Sequence, residues 1–115
     1  MTVGELARRT GLSIRSIREY ERLGLIYSAG RSAGNYRLFD EIALWCAGAV
    51  EQLRSLGLTL TEIQELAGIH RAGDELRLAE RLEALLDRSE ERIERRIAGL
   101  TATRERIRAF RAGRA

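Results

Sequence analysis

All 20 basic side chains of this chain are arginines. A guanidinium group can bind a phosphate or the edge of a guanine through two parallel hydrogen bonds. Seven arginines and two glutamates lie between positions 8 and 37, whereas residues 38–75 carry seven acidic side chains and two arginines. A basic block beside an acidic block indicates one face for an anionic polymer. A GC-rich genome that avoids lysine codons is the alternative explanation of the arginine excess.

Residues that could support catalysis or metal binding are few. Cys46 is the single cysteine and His70 the single histidine, so no disulfide framework or thiolate cluster can form within the chain. We expect Cys46 to be a buried, unreactive thiol and His70 to be a turn residue. There is no paired carboxylate site, no nucleophile beside a base and no phosphate-binding loop. We therefore expect no enzyme activity, no metal and no cofactor.

The sequence carries no membrane-directing pattern. No apolar stretch is long enough to span a bilayer, and the first residues do not form a signal peptide. We expect a cytoplasmic protein with no membrane partner. The 115 residues, without proline, suit one compact domain plus one long helix.

Two short helices and a hairpin are predicted first. Thr2 starts a capping box and predicts a helix over residues 3–9, and Ser13 is the N-cap of a second helix over residues 14–23. Two short helices joined by a tight turn form a helix-turn-helix. Strands at Ile26–Tyr27 and Tyr36–Phe39 then flank a run rich in turn formers, which predicts a β-hairpin wing.

Two further helices complete the predicted head. Asp40 caps a third helix over residues 41–56. Its apolar positions are Ile42, Leu44, Trp45, Ala49, Leu53 and Leu56. Thr61 and Gln64 have the spacing of a capping box, which predicts a fourth helix over residues 62–67.

The C-terminal part carries one uninterrupted helical pattern over residues 76–111, after a connector over residues 69–75. Such a helix is about 50 Å long and has no core of its own. Its heptad pattern has one apolar seam position and one mixed position, which indicates a specific dimerising coiled coil. The predicted dimerisation residues are Leu82, Leu86, Ile93, Arg96, Leu100, Ile107 and Phe110. Arg96 is expected to fix the register by pairing with an acid of the partner. The predicted domains are thus residues 1–70 and residues 71–115.

Four motifs occur in order along the head. They are VGELARRTGLS over residues 3–13, RSIREYERLGLI over 15–26, GNYRLF over 34–39 and LRSLGLTLTEI over 53–63. Together they resemble the MerR family of bacterial transcription regulators, closely over residues 2–68 and by architecture along the long helix.

The resemblance implies a mainly α fold, in which a winged helix-turn-helix DNA-binding domain precedes a long helix that forms an antiparallel coiled coil in a homodimer. It also implies that two heads bind a palindromic promoter operator in double-stranded DNA and bend or untwist it for RNA polymerase. The second helix is then the recognition helix. The implied DNA contacts are Ser13, Arg15, Ser16, Arg18, Tyr20, Arg22, Arg31, Asn35, Tyr36 and Arg37.

Several alternatives remain open at this point. The arginines of the second helix could form a solvated charged face, Tyr36 could pack in the core, and Arg37 could pair with Glu21. The sequence departs from the family at Glu19, where an aromatic residue is usual, and at Asn35, where glycine often precedes the wing tyrosine; asparagine tolerates left-handed backbone. Because the sequence ends soon after the long helix, we expect no effector domain.

Two other functions fit parts of the sequence. Architectural or excisionase-like DNA-binding proteins share such winged heads, although they usually lack a long dimerising helix. A protein-interaction adaptor would instead use the coiled-coil tail to recruit a partner.

Overall fold

The computed structural model describes residues 1–114 as five helices and one small sheet. In chain order these are α1 (Val3–Thr10), α2 (Ile14–Arg22), β1 (Gly30–Arg31), β2 (Arg37–Leu38), α3 (Glu41–Ser55), α4 (Leu60–Arg71) and α5 (Glu75–Arg114). The predicted mainly α fold, with a small hairpin and a long C-terminal helix, is confirmed.

Helices α1 and α2 form the predicted helix-turn-helix, and local capping explains where each begins. The Thr2 hydroxyl accepts the Glu5 N–H (3.2 Å), and the Ser13 hydroxyl accepts the Ser16 N–H (3.0 Å). These bonds satisfy amides that the first turn of a helix leaves without partners. Between the helices, Gly11 adopts a left-handed conformation (φ 77°) that ends α1 and turns the chain into α2.

The hairpin begins later than predicted. Strands β1 and β2 pair in antiparallel register, with Arg31 opposite Arg37, and β2 lies within the second predicted strand. The predicted strand at Ile26–Tyr27 is wrong. Ile26 is fully buried in the core instead, because the left-handed Gly24 (φ 75°) turns the chain inward directly after α2.

Helix α3 buries mainly small side chains, and of the large ones that were predicted Leu44 and Leu53 pack partly against the core. Its buried residues are Ala43, Ala47 and Val50. Ile42 and Trp45 were expected to face the core, yet they are 71% and 63% exposed. Two apolar faces compete on this helix, and small side chains let α3 approach α1 closely. Ile42 and Trp45 are therefore left at the surface.

Helix α4 begins earlier than predicted because a different capping box forms. The Glu62 carboxylate accepts the Thr59 N–H (2.9 Å), and the Thr59 hydroxyl accepts the Glu62 N–H (3.1 Å). The box predicted at Thr61 and Gln64 is therefore wrong. Of the two overlapping motifs, the one that ends in a carboxylate has the stronger acceptor at the positive end of the helix dipole.

Helix α4 also ends later than predicted. It continues to Arg71, and the left-handed Gly73 (φ 76°) closes it, so the connector is shorter than residues 69–75. Burial of Ile69 favours the extra turn over the cost of about 1 kcal/mol for a glycine inside a helix. His70 lies in the last turn of α4, and its prediction as a turn residue is wrong.

The two halves of α5 have different surroundings. In the first half, Leu85 and Ser89 are buried against the head of the same chain, and Leu82 and Leu86 pack partly against it. The predicted seam residues Leu82 and Leu86 therefore already have contacts within the chain. The second half projects beyond the head and gives the molecule a longest dimension of 72 Å. Its exposed apolar side chains are Ile97, Leu100, Ile107 and Phe110, and the half-exposed Ile93 lies where α5 leaves the head. Within residues 1–114, every helix is too short or too polar to cross a bilayer.

Gly57, in the turn between α3 and α4, leaves no room for a side chain. Its φ is +89°, and a Cβ atom there would lie 2.4 Å from the Ser89 Oγ. We expect Gly57→Ala to lower the free energy of unfolding by about 2–4 kcal/mol, through left-handed strain and displacement of a buried hydroxyl. Gly73→Ala is the control, since Gly73 has φ +76° and open space, and it should cost about 1–2 kcal/mol. Urea denaturation measures both losses, and equal losses would contradict the steric argument.

Candidate nucleic-acid interface

Helix α2 has its apolar face in the core and its basic face in solvent. Ile17 and Tyr20 are buried, at 0% and 1% exposure. Arg15, Arg18 and Arg22 follow one another at spacings of three and four residues, so their exposed side chains share the opposite face. Guanidinium groups along one helix face can contact phosphates and base edges of a major groove together.

The two serines at the start of α2 make hydrogen bonds within their own helix. The Ser13 hydroxyl caps α2 and donates to the Ser16 hydroxyl at 3.0 Å. The prediction of Ser13 as an N-cap is confirmed. Both residues lie at the positive end of the α2 dipole, where an anion is favoured electrostatically.

An open groove of about 440 Å³ lies between α1, α2 and the wing. Its lining residues are Thr2, Val3, Arg18, Glu21, Arg31, Asn35, Tyr36, Arg37 and Phe39. The fold thus brings Arg18 of α2 together with four wing residues that are distant in sequence. Arg15, Ser16 and Arg22 lie outside this groove, elsewhere on the surface of α2.

The wing turn is held by its own hydrogen bonds. The Ser32 N–H donates to the Tyr36 carbonyl (2.8 Å), and the Arg31 guanidinium donates to the Asn35 carbonyl (3.2 Å). Asn35 adopts φ 64°, the left-handed conformation that asparagine tolerates. Tyr36 is 72% exposed, so the alternative that places it in the core is wrong. An exposed tyrosine beside arginines suits contact with a phosphate backbone.

Two of the candidate arginines are paired with carboxylates. Arg37 Nη1 lies 3.0 Å from Glu21 Oε1, which is the pairing weighed as the alternative for Arg37. Arg22 binds both oxygens of Glu19, and this hydrogen bonding holds the pKa of Glu19 below its ordinary value. The side chains of Arg37 and Arg22 are 50% and 68% exposed. Exposed pairs are weak, so a phosphate can replace the carboxylate at little cost.

Tyr20, which is predicted to lie half in the core and half against the DNA backbone, is 1% exposed and packs in the core, and its contact with DNA stays a prediction. Its hydroxyl accepts a hydrogen bond from Arg54 (2.8 Å) and donates to Glu51. Burial raises the pKa of the Tyr20 phenol, and the bond to Glu51 raises it further. Tyr20 therefore ties α2 to α3 and fixes the orientation of the basic face of α2.

Two family models match this chain. The model for the MerR HTH family regulatory protein covers residues 1–68, and the model for MerR, DNA binding covers residues 49–110. The chain belongs to the MerR family. Its resemblance to that family, which rests on the four motifs, is confirmed.

Sequence relatives of this MerR-family protein extend along nearly all of it. The nodulation protein NolA of Bradyrhizobium elkanii is 32% identical over 96% of the chain, and the chain spans 47% of NolA. An HTH-type transcriptional regulator of Pseudomonas aeruginosa is 32% identical over 93% of the chain, which spans 80% of that regulator.

Solved structures show the same fold. The transcription regulator PbrR691 of Ralstonia metallidurans, in complex with lead(II), matches with a TM-score of 0.81 and 31% identity, over 96% of this chain and 85% of that one. HiNmlR, a MerR-family regulator lacking the sensor domain and bound to promoter DNA, matches with a TM-score of 0.65 and 26% identity. The second match covers 91% of this chain and 78% of the other.

The structure adds residues to the candidate interface that the sequence did not indicate. Thr2 and Val3 line the groove from the start of α1, where the sequence indicated only a cap and a core position. Arg54, at the end of α3, lies beside Arg15 and Glu19 of α2. Arg54 lies in the motif over residues 53–63, but that motif gives it no role at the interface, because its proximity to α2 arises only when α3 packs against the helix-turn-helix.

An apolar groove of about 200 Å³ lies between α3, α4 and the first turns of α5. It is lined in part by Trp45, Cys46 and His70, and the Trp45 and His70 rings lie 6.1 Å apart. Cys46 is half-buried and not fully buried as predicted. Burial raises the pKa of the Cys46 thiol and disfavours the reactive thiolate. Over residues 1–114, no three histidine, cysteine or acidic side chains converge on a point where a metal ion could bind.

Proposed function

We propose that this MerR-family protein binds a palindromic operator in double-stranded DNA as a homodimer and regulates transcription by bending or untwisting that DNA. Helix α2 occupies the major groove, and the wing contacts the flanking phosphates. The deformed promoter is then engaged by RNA polymerase. The main support for this proposal is the 440 Å³ groove, which is lined by Arg18 of α2 together with Arg31, Tyr36 and Arg37 of the wing.

The homodimer is inferred from two apolar surfaces that stay exposed within residues 1–114. One is the second half of α5, with exposed side chains such as Leu100 and Ile107. The other surface lies between α3 and α5. There the 200 Å³ groove is lined by Leu82, and a neighbouring groove is lined by Leu86 and Ile93. An antiparallel partner would cover the second surface with the first.

The seam residues match in one antiparallel register. In such a pair, moving toward the end of one helix means moving toward the start of the other. If Ile93 packs against the partner's Leu100, then Leu86 packs against the partner's Ile107. The partner's Phe110 then lies close to Leu82 and to the 200 Å³ groove that Trp45 lines.

Selection from a random duplex library tests the proposal. We expect enrichment of an inverted repeat whose half-sites lie about one helical turn, or about 34 Å, apart. Affinity for the selected duplex should fall by about 1,000-fold or more between roughly 50 and 200 mM salt, since about six phosphates or more are neutralised. A scrambled duplex of equal length is the control. Enrichment of no sequence, or of a single half-site bound by a monomer, would reject the proposed function.

A further inference from the structure

Helix α5 is fastened to the turn between α3 and α4 at two successive points. The Ser89 hydroxyl donates to the Leu56 carbonyl (2.6 Å), and the Arg92 guanidinium donates to the Gly57 carbonyl (2.9 Å). Both carbonyls lie directly after the last residue of α3, where the helix has no further backbone N–H to offer them. Ser89 and Arg92 lie one turn apart on α5, so the two bonds fix both its position and its rotation.

The same arginine binds a buried carboxylate of α4. Arg92 Nη1 and Nη2 donate to the two oxygens of Glu62 at 3.2 and 3.0 Å, and Glu62 is only 8% exposed. Hydrogen bonding by Arg92 is the main reason why the pKa of Glu62 lies below its ordinary value. The Glu62 carboxylate also accepts the Thr59 N–H that starts α4. Arg92 is thus bonded to the start of α4 and to the turn before it at once.

The joint leaves little space for adjustment. A Cβ atom at Gly57 would lie 2.4 Å from the Ser89 Oγ, so backbone and hydroxyl are already in close contact. Charged hydrogen bonds to a mostly buried carboxylate are stronger and more directional than those between exposed ions. A tilt of α5 against the head would therefore break several bonds together.

Another ion pair between α4 and α5 is more exposed and is not bonded to the turn between α3 and α4. Arg81 binds both oxygens of Glu65 at 2.6 and 3.1 Å, but the Glu65 side chain is 40% exposed. Among residues 1–114, the hydrogen bonds of the Arg81 side chain go to Glu65 and none goes to the turn between α3 and α4. The side chains of Arg81 and Arg92 are nevertheless similarly exposed, at 32% and 34%, which makes Arg81 a matched control.

We propose that Arg92 is a positioning residue that, with Ser89, sets the angle of the head on α5 and thereby the half-site spacing that the dimer reads. This inference rests on the proposed dimeric binding of DNA. In the dimer, α5 lies at the two-fold axis and α2 lies in the head, so the joint between them determines the distance between the two copies of α2. A rigid joint makes the dimer reject operators whose half-sites are shifted by one base pair, because the second head then meets the groove out of phase.

The test compares affinities for the selected operator and for versions lengthened or shortened by one base pair. We expect the wild-type dimer to prefer the selected spacing strongly. Arg92→Gln should reduce that preference about fivefold or more, while binding to an isolated half-site stays within about twofold of wild type. Arg81→Gln, which also removes one charge between α4 and α5, should leave the preference unchanged.

Two further variants separate positioning from general loss of structure. Ser89→Ala removes one hydrogen bond and should weaken the spacing preference in the same direction while the protein stays folded. Arg92→Lys keeps the charge but cannot bind Glu62 and the Gly57 carbonyl in the same fork, so it should restore the melting temperature more fully than the spacing preference. If Arg92→Gln does not fold, the spacing preferences of Ser89→Ala and Arg92→Lys test the inference without it.

An unchanged spacing preference in Ser89→Ala and Arg92→Lys, or equal effects of Arg92→Gln and Arg81→Gln, would overturn the inference. Failure of the wild-type protein to select any inverted repeat would instead reject the proposed function. The two failures are therefore distinguishable.

Discussion

Arg18→Ala is expected to weaken binding to the selected operator by about 30-fold or more, while the protein stays folded and dimeric. Arg18 lies on the exposed face of α2 and lines the groove shared with the wing. Arg22 and Arg37 are partly neutralised by glutamates, whereas Arg18 has no ion pair among the described residues. Each base contact made by an arginine is worth about 1–3 kcal/mol, and the dimer makes it twice. The loss should therefore be about 30-fold to 25,000-fold in affinity. Fluorescence anisotropy with the selected duplex measures it.

The control for Arg18→Ala is Arg95→Ala, which removes the same charge from the exposed surface of α5. It should change affinity by less than about threefold, because a single distant charge is largely screened at physiological salt. If the two variants bind equally well, α2 is not the recognition helix. If Arg18→Ala weakens all duplexes uniformly, including scrambled ones, Arg18 contacts phosphate and not a base edge.

The helix-turn-helix could be predicted from sequence because its determinants are local. Thr2 and Ser13 cap their helices through amides three residues further along, and the apolar period then selects the buried face. The exposed arginines of α2 follow directly, since Ile17 is fixed in the core on the other side of the helix. In such segments, one stretch of sequence contains both partners of the interaction that decides the structure.

The start of α4, the buried face of α3 and the joint between the head and α5 could not be predicted. Each depends on residues that are distant in sequence or on two alternative interactions of the same segment. Two capping boxes overlap at the start of α4, and the stronger acceptor, Glu62, decides between them. Helix α3 has two apolar faces, and only the approach of α1 decides that Ala47 is buried and Trp45 is not. Glu62 and Arg92 are separated by 30 positions, so no periodicity connects them. The groove beneath the wing depends on such distant contacts as well.

Leu100→Asp is expected to convert the dimer to a monomer and to remove operator binding without unfolding the head. Leu100 is 60% exposed in the single chain and lies beyond the part of α5 that contacts the head, so the substitution does not disturb the core. In the antiparallel dimer the carboxylate would be buried next to the partner's Ile93. An unpaired buried charge costs several kcal/mol, and the symmetric dimer would contain two of them. The dissociation constant of the dimer should rise about 100-fold or more. Sedimentation at several concentrations measures it.

The opposite face of α5 supplies the control. Ala98 is exposed and lies about 160° around the helix from Leu100, so Ala98→Asp introduces the same carboxylate away from the seam. It should remain dimeric and bind the operator as wild type does. A monomeric Ala98→Asp would indicate that the charge destabilises α5 itself, and a dimeric Leu100→Asp would place the dimer interface elsewhere. Because Leu100→Asp leaves α2 and the wing intact, weak binding to a single half-site is also expected. That remaining affinity distinguishes loss of the dimer from loss of the recognition surface.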